Sequence, residues 1–140
     1  MSEHHARPDV DIEEDVNDII VTYPPLAADR HHIHVTVQSG VVVIDGHVRT
    51  PINRRVLIER TSDIPGVAGI NADEFFDDET IRLQVGKLLP YGIYANPAFG
   101  VVALTGKPPV EPSVQEIIQR VARVPGVVRV VAALGVAHGA

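Results

Sequence analysis

The apolar residues of this chain follow two periods that alternate along its length. Between residues 10 and 22, Ile12, Val16, Ile19 and Ile20 recur at i, i+4, i+7 and i+8, the spacing of one helix face. Between residues 77 and 89, Ile81, Val85, Leu88 and Leu89 repeat it. Both segments open with acidic residues, which suit the positive end of a helix dipole. Pro24-Pro25 and Pro90 close them, because proline lacks an N–H and clashes with the preceding turn. A period of two follows the first helix: Ile33, Val35 and Val37 face one way, and His32, His34 and Thr36 the other. Ser39-Gly40 sits where a two-residue hairpin turn is needed, and glycine tolerates positive φ there. The return strand places Val42, Ile44, Gly46 and Val48 on the inner face. Thr50-Pro51 then caps a second helix with the stripe Leu57, Ile58, Thr61 and Ile64. That helix stops at Pro65-Gly66, and "VAGINAD" starts a third strand.

The pattern is written twice. "SGVVVIDG" at 39–46 recurs as "FGVVALTG" at 99–106. At the same offset of 60, Ile33 matches Ile93, and Pro65-Gly66-Val67 matches Pro125-Gly126-Val127. Upstream the offset is 69, so the second copy has lost nine residues around "YPPLAADRH". In that copy Pro112 is expected to open a helix striped by Val114, Ile117, Ile118, Val121 and Val124, with "VVRVVAAL" as the last strand. The reading is an α+β fold of tandem duplicated α-β-β-α-β units, each a three-stranded sheet with two helices on one face. The expected organisation is a flexible tail over 1–10, a first domain over 11–74 and a second over 75–137 with a shortened helix–strand loop. Pro108-Pro109 replaces Val48-Arg49 and removes two ladder donors, so the strand before it should end early.

Composition narrows the function classes. The net charge is −6, which disfavours non-specific binding of nucleic acid. Aromatic residues make up 4% and Trp is absent, so base-stacking platforms are not expected. With no cysteine, disulfides, thiolate nucleophiles and Cys-ligated zinc are excluded. "MSEHHARPDV" has no apolar core of a signal peptide, and no run of about 18 apolar residues occurs. Cytoplasmic residence is the default expectation, compatible with peripheral association with a membrane.

Four features carry candidate chemistry. A two-residue turn at Ser39-Gly40 sets His34 opposite Asp45 and His32 opposite His47 on the outer sheet face. Opposed Cβ atoms lie about 4.5–5.5 Å apart, so His32, His34, Asp45 and His47 form a candidate site for zinc or a related ion. The same cluster would make a pH-responsive surface; the plain alternative is a solvated face. His4 and His5 belong to the tail. Carboxylates cluster at Glu13-Glu14-Asp15 and across Asp73, Glu74, Asp77, Asp78 and Glu79, where helix N-termini account for them better than acid–base catalysis. Arg49, Arg54, Arg55 and Arg60 form a basic patch suited to lipid phosphates, or else a solvated helix face. Val41, Val43, Val67, Tyr94, Val101, Ala103, Val127 and Val131 point away from the helices by parity. So much apolar surface predicts that the sheets meet each other, a partner or a second copy of the chain.

The order helix, short strand, "GVVxIxG" or "GVVxLxG", helix, "PGV" and strand resembles the BON domain, a bacterial module named for osmotically induced and nodulation proteins. The resemblance covers about residues 11–74 and 75–137. The first copy fits better, with Leu26-Ala27-Ala28-Asp29 before its first strand; the second lacks that segment. The resemblance implies a non-catalytic, cofactor-free binding module associated with phospholipid membranes or envelope proteins and linked to stress. The alternative is a cytoplasmic protein-interaction or ion-responsive module. The family's glycine falls on Gly46 and Gly106. Their positions on the apolar face predict a packing role, a missing side chain letting a helix approach the sheet.

Overall fold

The computed structural model describes residues 7–135. The chain divides between Phe75 and Phe76 into two compact units, each with its own core. The first contains α1 (Asp9–Thr22), a helical turn α2 (Pro24–Ala27), a 3₁₀ turn (Arg30–His32), β1 (Ile33–Gln38), β2 (Val41–Val48), α3 (Pro51–Ser62) and β3 (Gly69–Asn71). A short strand, β4 (Phe75–Asp77), lies at the division. The second unit continues with α4 (Asp78–Gly86), β5 (Ile93–Ala98), β6 (Val101–Gly106), α5 (Val114–Ala122) and β7 (Arg129–Leu134). The fold is α+β.

Both hairpins keep the register that a two-residue turn dictates. In the first, pairs run from Gln38↔Val41 to Ile33↔Gly46; in the second, from Ala98↔Val101 to Ile93↔Gly106. The third strand of each unit lies parallel to the second, giving the orders β1-β2-β3 and β5-β6-β7. Both turn residues have positive φ: Ser39 52° and Gly40 79°, Phe99 50° and Gly100 84°. That turn matches the right-handed twist of its strands.

Burial follows the two periods. Ile12, Val16 and Ile20 from α1 and Leu57 from α3 close on Val42, Ile44 and Val48 of β2. In the second unit Ile81, Val85, Ile117 and Val121 close on Val102 and Leu104. Thr50 caps α3 by accepting from the Asn53 N–H at 3.2 Å.

Several boundaries differ from expectation. Asp9 and Val10 are helical rather than part of a tail; His4 and His5 lie outside the described residues. Pro24-Pro25 starts a new helical turn, because proline suits the first positions of a helix whose N–H groups need no partner. α4 ends at Gly86, so Leu88 is 38% exposed while Leu89 still packs on the core. α5 starts at Val114, not Pro112, because Ser113 and Glu116 form a reciprocal capping box. As expected, in contrast, β6 ends early at Gly106, shortly before Pro108-Pro109, whereas β2 continues to Val48. Val67 and Val127, expected on the outer face, pack against the cores instead.

Candidate functional site

One device occurs in both units. The Asp9 carboxylate accepts the N–H groups of Ser39 at 2.9 Å and Gly40 at 3.0 Å. Asp78 accepts those of Phe99 at 2.7 Å and Gly100 at 3.0 Å. Each carboxylate stands at the start of a helix and ties it to a hairpin tip. A non-glycine residue at positive φ is strained, and two charge-assisted bonds offset that cost at Ser39 and Phe99. The acidic residues that suit a helix dipole therefore include two with a second, long-range task. A signal was present in the sequence: Asp9 and Asp78 are themselves related by the offset of 69.

Gly46 and Gly106 have φ values of 109° and 110°. A Cβ on Gly46 would overlap the carbonyl oxygen of His32, and one on Gly106 that of Gly92. The close approach comes from the backbone entering the first strand of each unit, not from a helix. The Gly46 N–H donates to Glu74 O at 3.1 Å, and Gly106 O accepts from Gly135 at 2.8 Å. Positive φ and contact with backbone account for both glycines.

The histidine face assembles in part. His34 pairs directly with Asp45 in the ladder. His32 belongs to the 3₁₀ turn, and the ladder closes at Ile33↔Gly46, so the expected pairing of His32 with His47 is not part of it. Among the described residues no group of three or more His, Asp or Glu side chains is placed to hold a metal ion. Of the candidate set His32, His34, Asp45 and His47, the ladder pairs His34 with Asp45, and His32 lies one residue before it.

Three of the four arginines in the basic patch are engaged within the first unit. Asp29, fully buried, accepts from Arg49 Nε at 2.7 Å and the Arg49 backbone N–H at 3.0 Å. Asn53 Nδ2 bridges the same carboxylate at 3.4 Å and Pro25 O at 3.3 Å. This network holds α2 and the 3₁₀ turn against the start of α3, with Leu26 buried beneath. Arg54 donates to the carbonyls of Phe75 at 2.7 Å and Ala72 at 3.2 Å, and its guanidinium lies 5.7 Å from the Phe75 ring centre. Arg60 stacks 4.7 Å from the Tyr23 ring centre. Arg55 is exposed. Sequence reading missed the Asp29 network because its members are 20 to 24 residues apart.

The second unit lacks these covers. Among the described residues it has no counterpart of α2, and Tyr91 is 98% exposed beside Pro90 and Pro109. An apolar groove of about 400 Å³ runs between α4 and the end of α5, lined by Phe76, Ile81, Gln84, Leu88, Val124 and Pro125. In the first unit Arg7 takes the position of Phe76, donates to Pro65 O at 3.1 Å and pairs with Asp15 at 2.7 Å, bridging the residues that correspond to Gln84 and Pro125 of the groove. Of the acidic clusters, Asp77 caps α4 through the Thr80 N–H and hydroxyl at 2.8 and 2.9 Å, and Asp78 holds its hairpin. No helix among the described residues is long and apolar enough to cross a membrane.

Comparison with known proteins agrees with this architecture. No curated protein matches the chain in sequence. Two solved structures of CdsD, a structural protein of the type III secretion system of Chlamydia trachomatis, resemble the fold. One is its C-terminal domain, with a TM-score of 0.71 at 15% identity over 89% of this chain. The other has a TM-score of 0.72 at 14% identity over 93% of this chain. The likeness spans 64% of each of those chains and concerns the fold alone. The family model of the BON domain matches residues 8–75, the helix, hairpin, helix and strand of the first unit with the Gly46 bend inside it. The first unit, residues 8–75, thus matches the BON-domain family.

Proposed function

We propose that this protein is a non-catalytic binding module of the bacterial envelope that docks a protein partner through the apolar surface of its second unit. The observation that carries this reading is the asymmetry between the repeats. The α2 segment and the Arg7–Asp15 bridge cover the first unit, while the corresponding places in the second leave Tyr91, Leu88 and the groove open. An exposed apolar patch of this kind marks an interaction site. The description of CdsD as a structural component of a secretion system supports a role in assembly. The internal use of Arg49, Arg54 and Arg60 favours a protein over phospholipid phosphates as the ligand. A link to envelope stress, implied by the family, belongs to the same reading.

Site-specific photocrosslinking in living cells tests it. A photoreactive residue at Leu88 or Tyr91 should give a discrete adduct, and one at Glu59 should not. Cosedimentation with phosphatidylglycerol vesicles distinguishes the lipid reading. Salt-sensitive retention that Arg55→Glu abolishes, with no adduct at Leu88, would make phospholipid the ligand.

A further inference from the structure

The outer edge of β7 is a second interaction surface, distinct from the groove. β7 ends the order β5-β6-β7, and among the described residues no strand pairs with its outer side. Along its six residues, "RVVAAL", Arg129 is the single charge. Val131 is 42% exposed, and Ala132 and Ala133 are exposed too. Open edges of this kind are normally blunted by proline, by inward charge or by shortness. The other edges show those devices or a polar face. β3 has three residues, β5 contains Pro97, and β1 turns His34, Thr36 and Gln38 outward. β7 has none of them.

We infer that β7 pairs antiparallel with β7 of a second copy of this chain, about a two-fold axis through Val131. A two-fold axis requires residues of equal parity to oppose each other, so that outward-facing backbone groups meet outward-facing ones. Centring on Val131 sets Val131 against Val131, Val130 against Ala132, and Arg129 against Ala133. Each arginine then faces a neutral residue. The two Arg129 side chains are separated along the strands by four residues, about 13 Å, beyond the screening length of about 8 Å at physiological ionic strength. No acidic residue occurs after Glu116, so the net charge of −6 is carried elsewhere in the chain. Pairing satisfies the open ladder and buries Val131, which pairing along β1 would not do for apolar surface. This inference is independent of the envelope reading and of the groove.

The absence of cysteine makes the test direct. On the axis, opposed Cβ atoms stand about 4.5–5.5 Å apart, close to the range a disulfide spans. Val131→Cys should therefore oxidise to a covalent dimer, while Thr36→Cys on the β1 edge should remain monomeric. Sedimentation velocity over a dilution series should show the parent dissociating from dimer to monomer. Val131→Lys, which sets two ammonium groups on the axis, should be monomeric throughout with the circular dichroism of the parent. Ala133→Glu, opposite Arg129, should tighten association several-fold at low salt. A parent monomeric at every concentration would overturn the inference, as would equal crosslinking at positions 36 and 131. So would a Val131→Lys variant that still dimerises.

Discussion

Asp78→Ala tests the idea that a helix-start carboxylate holds each hairpin tip. The substitution removes one acceptor from two backbone donors, at 2.7 and 3.0 Å. Asp78 is 6% exposed and Gly100 is buried, so water cannot fully replace the carboxylate. A hydrogen bond to a charged group contributes about 1.5–3 kcal/mol, and a stranded buried donor costs about 1–3 kcal/mol. The two figures describe the same event in part, so the expected loss is about 3 kcal/mol rather than their sum. Asp9→Ala removes the matching bonds in the first unit, but the Ser39 N–H is exposed and can turn to water. Its expected cost is about 1 kcal/mol. Phe99→Gly should recover part of the loss in the Asp78→Ala background, since glycine holds positive φ without strain. Urea denaturation supplies the free energies, and amide hydrogen exchange at residues 99 and 100 supplies the local readout. Exchange at both amides should accelerate in Asp78→Ala. If Asp78→Ala stays within about 0.5 kcal/mol of the parent, as surface substitutions usually do, the clamp is not a source of stability. The same follows if Asp9→Ala costs as much as Asp78→Ala.

Thr61→Val should stabilise the first unit by about 1 kcal/mol in urea melts, because the fully buried Thr61 hydroxyl has no hydrogen-bond partner and the second unit carries Val121 at that place. Gly46→Ala and Gly106→Ala should each destabilise by about 3 kcal/mol or more, combining strain at positive φ with overlap on a backbone carbonyl; a variant that melts like the parent contradicts the backbone-contact account.

Local pattern carried most of the architecture. Element order, helix faces, the hairpin register and the early end of β6 all depend on residues near one another in sequence, or on the periods 2 and 3.6 that alternate burial imposes. Ile33↔Gly46 and Ile93↔Gly106 could be counted outward from a two-residue turn. The repeat supported that reading, because each copy checked the other. The boundaries of α5 and β3 were less legible, since a capping box and a short parallel strand compete with equally plausible neighbours.

The sequence by itself determined which residues face a core and which turn the chain. Tertiary structure decided what the polar residues do, because their partners lie far along the chain. Asp9 reaches a turn 30 residues away, Asp29 an arginine 20 residues away, and Arg54 a carbonyl 21 residues away. Three arginines of the basic patch thereby find partners within the first unit. His34 and Asp45 oppose each other in the ladder, while His32 falls outside it, because the chain enters β1 through a 3₁₀ turn rather than as a longer strand. Gly46 and Gly106 follow the same logic: the residue type marked a close approach, but only the fold identified the backbone carbonyls of His32 and Gly92 as what approaches. Apolar burial is non-directional and follows from pattern alone, whereas hydrogen bonds and ion pairs need partners at set distances and angles, which only the folded chain supplies.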